Sequence, residues 1–239
     1  MSQCFSYIWE QNKTADSNKA NKITILDMKK ILFSILFFTT TILSLSAQEI
    51  SSVLLTMPDN IILGLDSGQK ELLGSTPADT TELTLDRGTF SEIKRTAISA
   101  DYISLQTSDA GTTEIKLLPL VNDSKIICVI KTVCGTVCDS QIQFFTTNWL
   151  PISQKDLLPK IDKDSFIKND TNRNSQDFEN AYKSLDMNPI KYTLSATDNT
   201  LVVKYDIEGY LSKDDYKRIQ PYLKEEPLVL TWDKTSYKL

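Results

Sequence analysis

ADYISLQTSDAGTTEIKLLPLVNDSKIICVIKTVCGTVCDSQIQFFTTNW, residues 100–149, is the stretch that decides the fold. Residues 100–107 alternate apolar and polar, and Asp109-Ala110-Gly111 has the chemistry of a turn. A second run spans 113–120 and stops at Asn122-Asp123-Ser124. Residues 125–133 are rich in β-branched side chains, Cys134 to Cys138 turns again, and 140–148 alternate with Ile142, Phe144 and Thr146 on one side. Short strands joined by two-to-five-residue connections predict an antiparallel meander. Parallel neighbours would need crossovers of about a dozen residues or more, which these turns cannot supply.

Upstream, residues 51–73 place Val53, Leu54, Met57, Ile61, Ile62, Leu65, Leu72 and Leu73 in a mostly helical recurrence broken by Pro58 and Gly64. One or two short helices over the sheet are expected there. Residues 74–90, with Pro77, Asp79 and Gly88, read as a loop holding a short strand at 82–85. Downstream, 151–175 is polar, has two prolines and an alternating-sign charge run, and reads as a linker or long loop. A helix is predicted from Gln176 behind a Ser175 cap, a hairpin across Thr197-Asp198-Asn199, and a second helix over 211–223 capped by Ser212. Asp214 and Asp215 complement the dipole of that helix, and residues 228–232 close as a strand. The fold class is therefore α+β: an antiparallel meander of roughly five strands with an amino-terminal helix over 48–150, then a smaller helix-hairpin-helix-strand unit over 176–239. Whether the two units share one sheet is left open by the pattern.

Residues 28–48, MKKILFSILFFTTTILSLSAQ, follow a basic, apolar, small-residue order. That is the order of a secretory signal peptide, and its core is short of the about 20 apolar residues of a membrane span. Cleavage is expected between Ala47 and Gln48, or after Ser46. Residues 1–27 precede this signal and are polar, so Met28 is read as the true start and 1–27 as a disordered upstream extension. No cysteine stands at the cleavage point for lipid anchoring, and no second apolar run approaches spanning length.

Removing 1–47 takes away 5 of 26 Lys+Arg and 3 of 31 Asp+Glu, leaving 21 against 28 and a formal charge of −7. An acidic protein is repelled by nucleic-acid phosphates and anionic lipid, so neither is an expected partner. Histidine is absent, which excludes Ser-His-Asp and Cys-His catalysis and every His-ligated metal site. No dinucleotide, phosphate-loop or nucleophile-elbow motif occurs, and no cofactor is expected.

Of Cys128, Cys134 and Cys138, one pair can bridge in an oxidising compartment. Cys134 and Cys138 flank Gly135-Thr136-Val137 and can face one another across a hairpin turn; three buried free thiols are the alternative. Asp170-Thr171-Asn172-Arg173-Asn174-Ser175 spaces oxygen ligands like the start of a calcium loop, but Ser175 and Ala181 stand where the glycine and the bidentate glutamate belong. A linker ending in a helix cap explains those residues, and no metal is expected. Asp101 and Asp139 are the carboxylates a hydrolase would draw on, and their strand-end positions have an ordinary conformational explanation. Phe144, Phe145, Trp149 and the tyrosines at 192, 205, 210, 216, 222 and 237 concentrate in the last hundred residues. Most are expected in the core, with a surplus compatible with a recognition face.

The segments DYISL (101–105), IKLLPL (115–120), KIICVIKTV (125–133), DSQIQFFTTNW (139–149) and LTWD (230–233) resemble a family of secreted Bacteroidota proteins of unknown function, about two hundred residues long. The resemblance covers 48–239 and implies an exported α+β protein with no established activity to transfer. Asp79-Thr80-Thr81 is also similar to the O-glycosylation acceptor of that phylum, which would modify Thr80. The chain is read as a non-catalytic exported binding module of the cell envelope, periplasmic or at the surface, holding a protein or glycan. A carboxylate-dependent hydrolase of envelope polysaccharide or peptide is the runner-up. An inhibitor-like or chaperone-like factor for another exported protein is the third reading.

Overall fold

The computed structural model describes residues 48–75 and 82–239 of the 239-residue chain. The expected extension 1–27, the signal 28–47 with its cleavage residue Ala47, and Thr80 lie outside the described residues. Gln48 opens the first helix.

Seven antiparallel strands form the large sheet in chain order: β1 (Leu83–Arg87), β2 (Phe90–Ile98), β3 (Tyr102–Gln106), β4 (Gly111–Pro119), β5 (Lys125–Cys134), β6 (Cys138–Thr146) and β7 (Pro151–Ile152). Roughly five were expected, and β2 and β7 are the additions. The strand β2 escapes the alternation rule because its core face is held by Ile93 and then Arg95, both fully buried. A bulge between Arg95 and Ala97 then shifts the pattern by one residue. A second sheet is separate from the first and runs β11 (Tyr237–Lys238), β10 (Leu228–Trp232), β9 (Thr200–Tyr205), β8 (Ile190–Leu194).

One face of the large sheet is covered by α1 (Gln48–Leu55) and α2 (Ser67–Gly74), and Leu54, Leu73 and Met57, just past the end of α1, are buried in one cluster with Ile93, Ile103 and Ile115. Asp66 caps α2 by accepting from the Gln69 N–H at 2.8 Å, while its own N–H donates to Gln69 Oε1 at 3.1 Å. At the other end Arg95 donates to the carbonyls of Leu73, at 2.8 Å, and Ser75. A buried guanidinium thus serves as the carboxyl-terminal cap of the helix.

The opposite face packs on the second sheet through Leu118, Cys128 and Phe144 against Leu201, Val203 and Trp232. The outer edge of β8 is turned onto the large sheet. The N–H groups of Ile190, Tyr192 and Leu194 donate to Asp139 Oδ1 at 3.0 Å, Ser140 Oγ at 3.1 Å and Glu114 Oε2 at 3.4 Å. Side chains of one sheet therefore satisfy the free edge of the other, which removes it as a template for unwanted strand pairing.

Residues 151–175 are not a free linker. They bury Leu158, Phe166 and Ile167 and include two short 3-10 turns, Gln154–Asp156 and Lys163–Phe166. Apolar residues spaced seven or eight apart are too sparse for a periodic signal, yet each fills a hole between the sheets and the helices. The helix α3 (Gln176–Tyr182) starts at Ser175, whose Oγ accepts from the Phe178 N–H at 3.3 Å. Ser212 does the same for α4 (Lys213–Ile219) through Asp215 at 3.1 Å. The two helices enclose a third cluster of Phe178, Leu185, Ile207 and Ile219.

Candidate binding site

Cys134 and Cys138 are cross-strand partners of β5 and β6 and are joined by a disulfide, while Cys128 is a buried free thiol. The tip of that hairpin is held by its neighbour. Asp206 Oδ2 accepts from the Cys138 N–H at 2.6 Å, and an ideal Cβ on Gly209 would stand 2.4 Å from the Thr136 carbonyl oxygen. Only glycine allows that approach.

The carboxylates singled out in the sequence go to structural tasks. Asp101 pairs with the buried Lys116 at 3.1 Å, and Asp139 caps β8. In the 170–175 segment, Asn172 Oδ1 accepts from the Asn174 N–H at 3.2 Å and Ser175 caps α3. The carboxyl-terminal tyrosines pack rather than form a face: Tyr192 and Tyr237 are buried between the sheets, and Tyr205 stacks on Phe166 at 5.3 Å. Tyr210 alone of the six is exposed, at 43 %.

A hollow of about 300 Å³ lies beside Tyr205, Asp206, Glu208, Tyr216, Glu225 and Glu226. Burial pushes the Asp206 carboxyl up, but the Cys138 N–H and the Lys204 ammonium at 3.0 Å outweigh it and hold it below its ordinary range. The other carboxylate of note is Glu114, buried between the sheets. Burial raises its pKa against the hydrogen bonds it accepts from Tyr102 and Leu194. It lies far inside the protein's core layer and lines none of the hollows described here.

The margin of β6 has a different character. In the β5–β6 ladder the odd residues of β6 face α1 and α2, and Gln141 lies opposite Lys131, Gln143 opposite Val129, and Phe145 opposite Ile127. Past the helical cover this face forms a hollow of about 490 Å³ with Asn60, Lys131, Gln141, Gln143 and Trp149 in its lining. A second hollow of about 380 Å³ follows the outer edge of the same strand, lined by Ile142, Phe144, Ile152, Gln154 and Tyr192. Both share Gln141, Gln143, Phe145 and Pro151.

Its floor is rigid. Trp149 sits at φ 61°, a left-handed conformation that costs a tryptophan about 1–2 kcal/mol. Its indole N–H donates to the Val53 carbonyl at 3.2 Å, and its ring meets Phe145 at 5.5 Å, which fixes α1 to the strand. Lys131 Nζ reaches the Asn60 carbonyl at 3.3 Å, burial lowers its pKa, and among the described residues no carboxylate pairs with it. The Gln141 and Gln143 side-chain amides likewise make no hydrogen bond among the described residues. Sequence reading passes over all of these, since a glutamine alternating with Ile142 and Phe144 reads as an ordinary solvent-facing position.

A chain with these two sheets and few helices is an antiparallel α+β protein in which the larger meander presents one strand margin. It belongs to the family described as Protein of unknown function (DUF3256), whose model matches residues 42–237. Among solved structures it is similar to a domain of an uncharacterized protein from Porphyromonas gingivalis W83, at 25% identity and a TM-score of 0.72, over 80% of this chain and 98% of that one. No curated protein matches the chain.

Proposed function

We propose that the chain is an exported, non-catalytic binding module of the cell envelope that holds its partner on the β6 margin. The observation that carries the reading is the pair of hollows that share Gln141, Gln143, Phe145 and Pro151, with two amides and an ammonium that have no side-chain partner among the described residues, over an aromatic floor. Concave, mostly apolar ground with a few convergent polar groups is what a recognition site offers. Export rests on the basic, apolar, small-residue order of 28–48.

The test has two arms. The amino terminus of the protein recovered outside the inner membrane, read by peptide mass mapping so that a cyclised Gln48 is still seen, is expected at Gln48 or Ala47; a start at Met28 or Met1 would remove the export reading. The full chain, immobilised and washed with solubilised envelope, is expected to retain a component that Gln143→Arg loses and Glu92→Gln, on the far side of the large sheet, keeps. Equal retention by both variants would place binding elsewhere.

A further inference from the structure

We propose that the β6 margin binds an extended peptide by strand addition, and that the peptide carries a carboxylate that pairs with Lys131. This deepens the binding reading above and rests on it.

The ladder supplies the first observation. Cys138 sends its N–H outward to Asp206, and Thr146 sends its N–H outward to Leu150. Backbone direction alternates along a strand, so Ser140 and Ile142 also point their N–H and C=O groups away from β5. On that side β7 pairs only at Phe144 and Phe145 and then turns away into the 3-10 turn at Gln154. Two residues of sheet edge are left with donors and acceptors facing outward: β8 approaches Ser140 only through its side chain, whose Oγ accepts from the Tyr192 N–H at 3.1 Å, and among the described residues no strand pairs with the backbone of Ser140 or Ile142 on that side.

The two hollows supply the second. An added strand projects successive side chains to opposite faces. One set would enter the hollow over Phe145 and Trp149, and the other would meet Ile152, Gln154 and Tyr192. Main-chain bonds give such complexes affinity, and pockets on alternate sides give them selectivity.

Charge supplies the third and sets the chemistry of the occupant. Among the described residues, Lys131 is the one charged side chain in the combined lining of the two hollows. The remaining lining is amide, hydroxyl, aliphatic or aromatic. A peptide of apolar and small polar residues with a single carboxylate on the Lys131 side is complementary to it.

The probe is a capped nonapeptide of alternating threonine and valine with a central glutamate, titrated into the isotopically labelled full chain and followed by NMR. Saturable shifts are expected at the amides of Ser140, Gln141 and Ile142, with slowed exchange at Ser140 and Ile142. N-methylation of alternate peptide amides on the edge-facing side should abolish them. Lys131→Gln should weaken binding about fivefold, the effect of a partly exposed ion pair. Lys131→Glu should reverse the preference toward a second probe, the same peptide with lysine in place of the central glutamate. Urea unfolding of each variant checks that folding is unchanged.

Absence of shifts at Ser140 and Ile142, or equal binding of the N-methylated peptide, overturns strand addition. So does a uronic-acid oligosaccharide that shifts Lys131 and Gln141 where the peptide does not. That last outcome leaves binding at the β6 margin standing, whereas retention of the envelope component by Gln143→Arg takes the site off that margin.

Discussion

Glu114 on β4 accepts a hydrogen bond from the Leu194 backbone N–H on β8 at 3.4 Å, joining the two sheets through a buried carboxylate whose other oxygen accepts from Tyr102 Oη at 2.5 Å. The two sheets meet chiefly through hydrophobic contact. This bond, with those of Asp139 and Ser140, sets which register of β8 lies over which strand, since a one-residue slip would leave N–H groups buried and unpaired.

The carboxylate gives a pH signature. Burial raises the Glu114 pKa above its unfolded value, so the folded protein holds the proton more tightly. Its contribution to stability is complete below the ordinary carboxylate pKa of about 4.3 and is lost as pH rises through the raised folded value. Glu114→Gln keeps an acceptor for Leu194 and has no charge to bury. The stability difference between Glu114→Gln and the native chain, from urea unfolding at a series of pH values, should therefore move in favour of the variant as pH rises. A flat difference would contradict this. Glu114→Ala, which orphans both donors, should cost about 1–3 kcal/mol below the ordinary carboxylate pKa and less as pH rises through the raised folded value.

Closing the short loop between Cys134 and Cys138 removes unfolded-state entropy worth about 2 kcal/mol. Urea unfolding with and without a dithiol should differ by that amount. Peptide mapping after alkylation should show Cys128 protected until the chain unfolds, and Cys134 and Cys138 protected until it is also reduced. Labelling of Cys134 without reductant would disprove the bridge.

Arg95 ties β2 to the end of α2. Arg95→Ala should cost about 3 kcal/mol, because the Leu73 and Ser75 carbonyls lose a charged donor. Hydrogen exchange should rise first in α2. An unchanged unfolding midpoint would show that the helix end is held by other contacts.

The Tyr237 hydroxyl is buried beside Cys128 and has no protein hydrogen-bond partner among the described residues. Replacing it with an apolar group of the same shape relieves an unsatisfied donor. Tyr237→Phe should be neutral or stabilise by about 1 kcal/mol in thermal or urea unfolding. A loss larger than that would point to a partner supplied by solvent.

Much of the fold is legible in local pattern. Turn residues at 109–111, 122–124 and 134–138 force neighbouring strands to be antiparallel, and the caps at Ser175 and Ser212 start α3 and α4 at their observed positions. These features depend on residues close in the chain, where alternation and capping act without knowledge of the rest. The strand β2 was hidden because a core position is filled by Arg95, whose charge is tolerated only next to a helix end that arrives from elsewhere. The burial of Leu158, Phe166 and Ile167 was hidden because isolated apolar residues have no period. The separation into two sheets is set by Asp139, Ser140 and Glu114 meeting β8 across gaps of 51, 52 and 80 residues. The β6 margin was hidden for the same reason: Asn60, Lys131, Gln143 and Trp149 are each unremarkable alone, and only packing of α1 against the sheet brings them to one hollow. Local sequence thus determined which segments are strands and helices and which neighbours pair. Tertiary structure alone decided which polar groups are buried with partners and which are left facing an open edge, because desolvation depends on what the rest of the chain brings alongside.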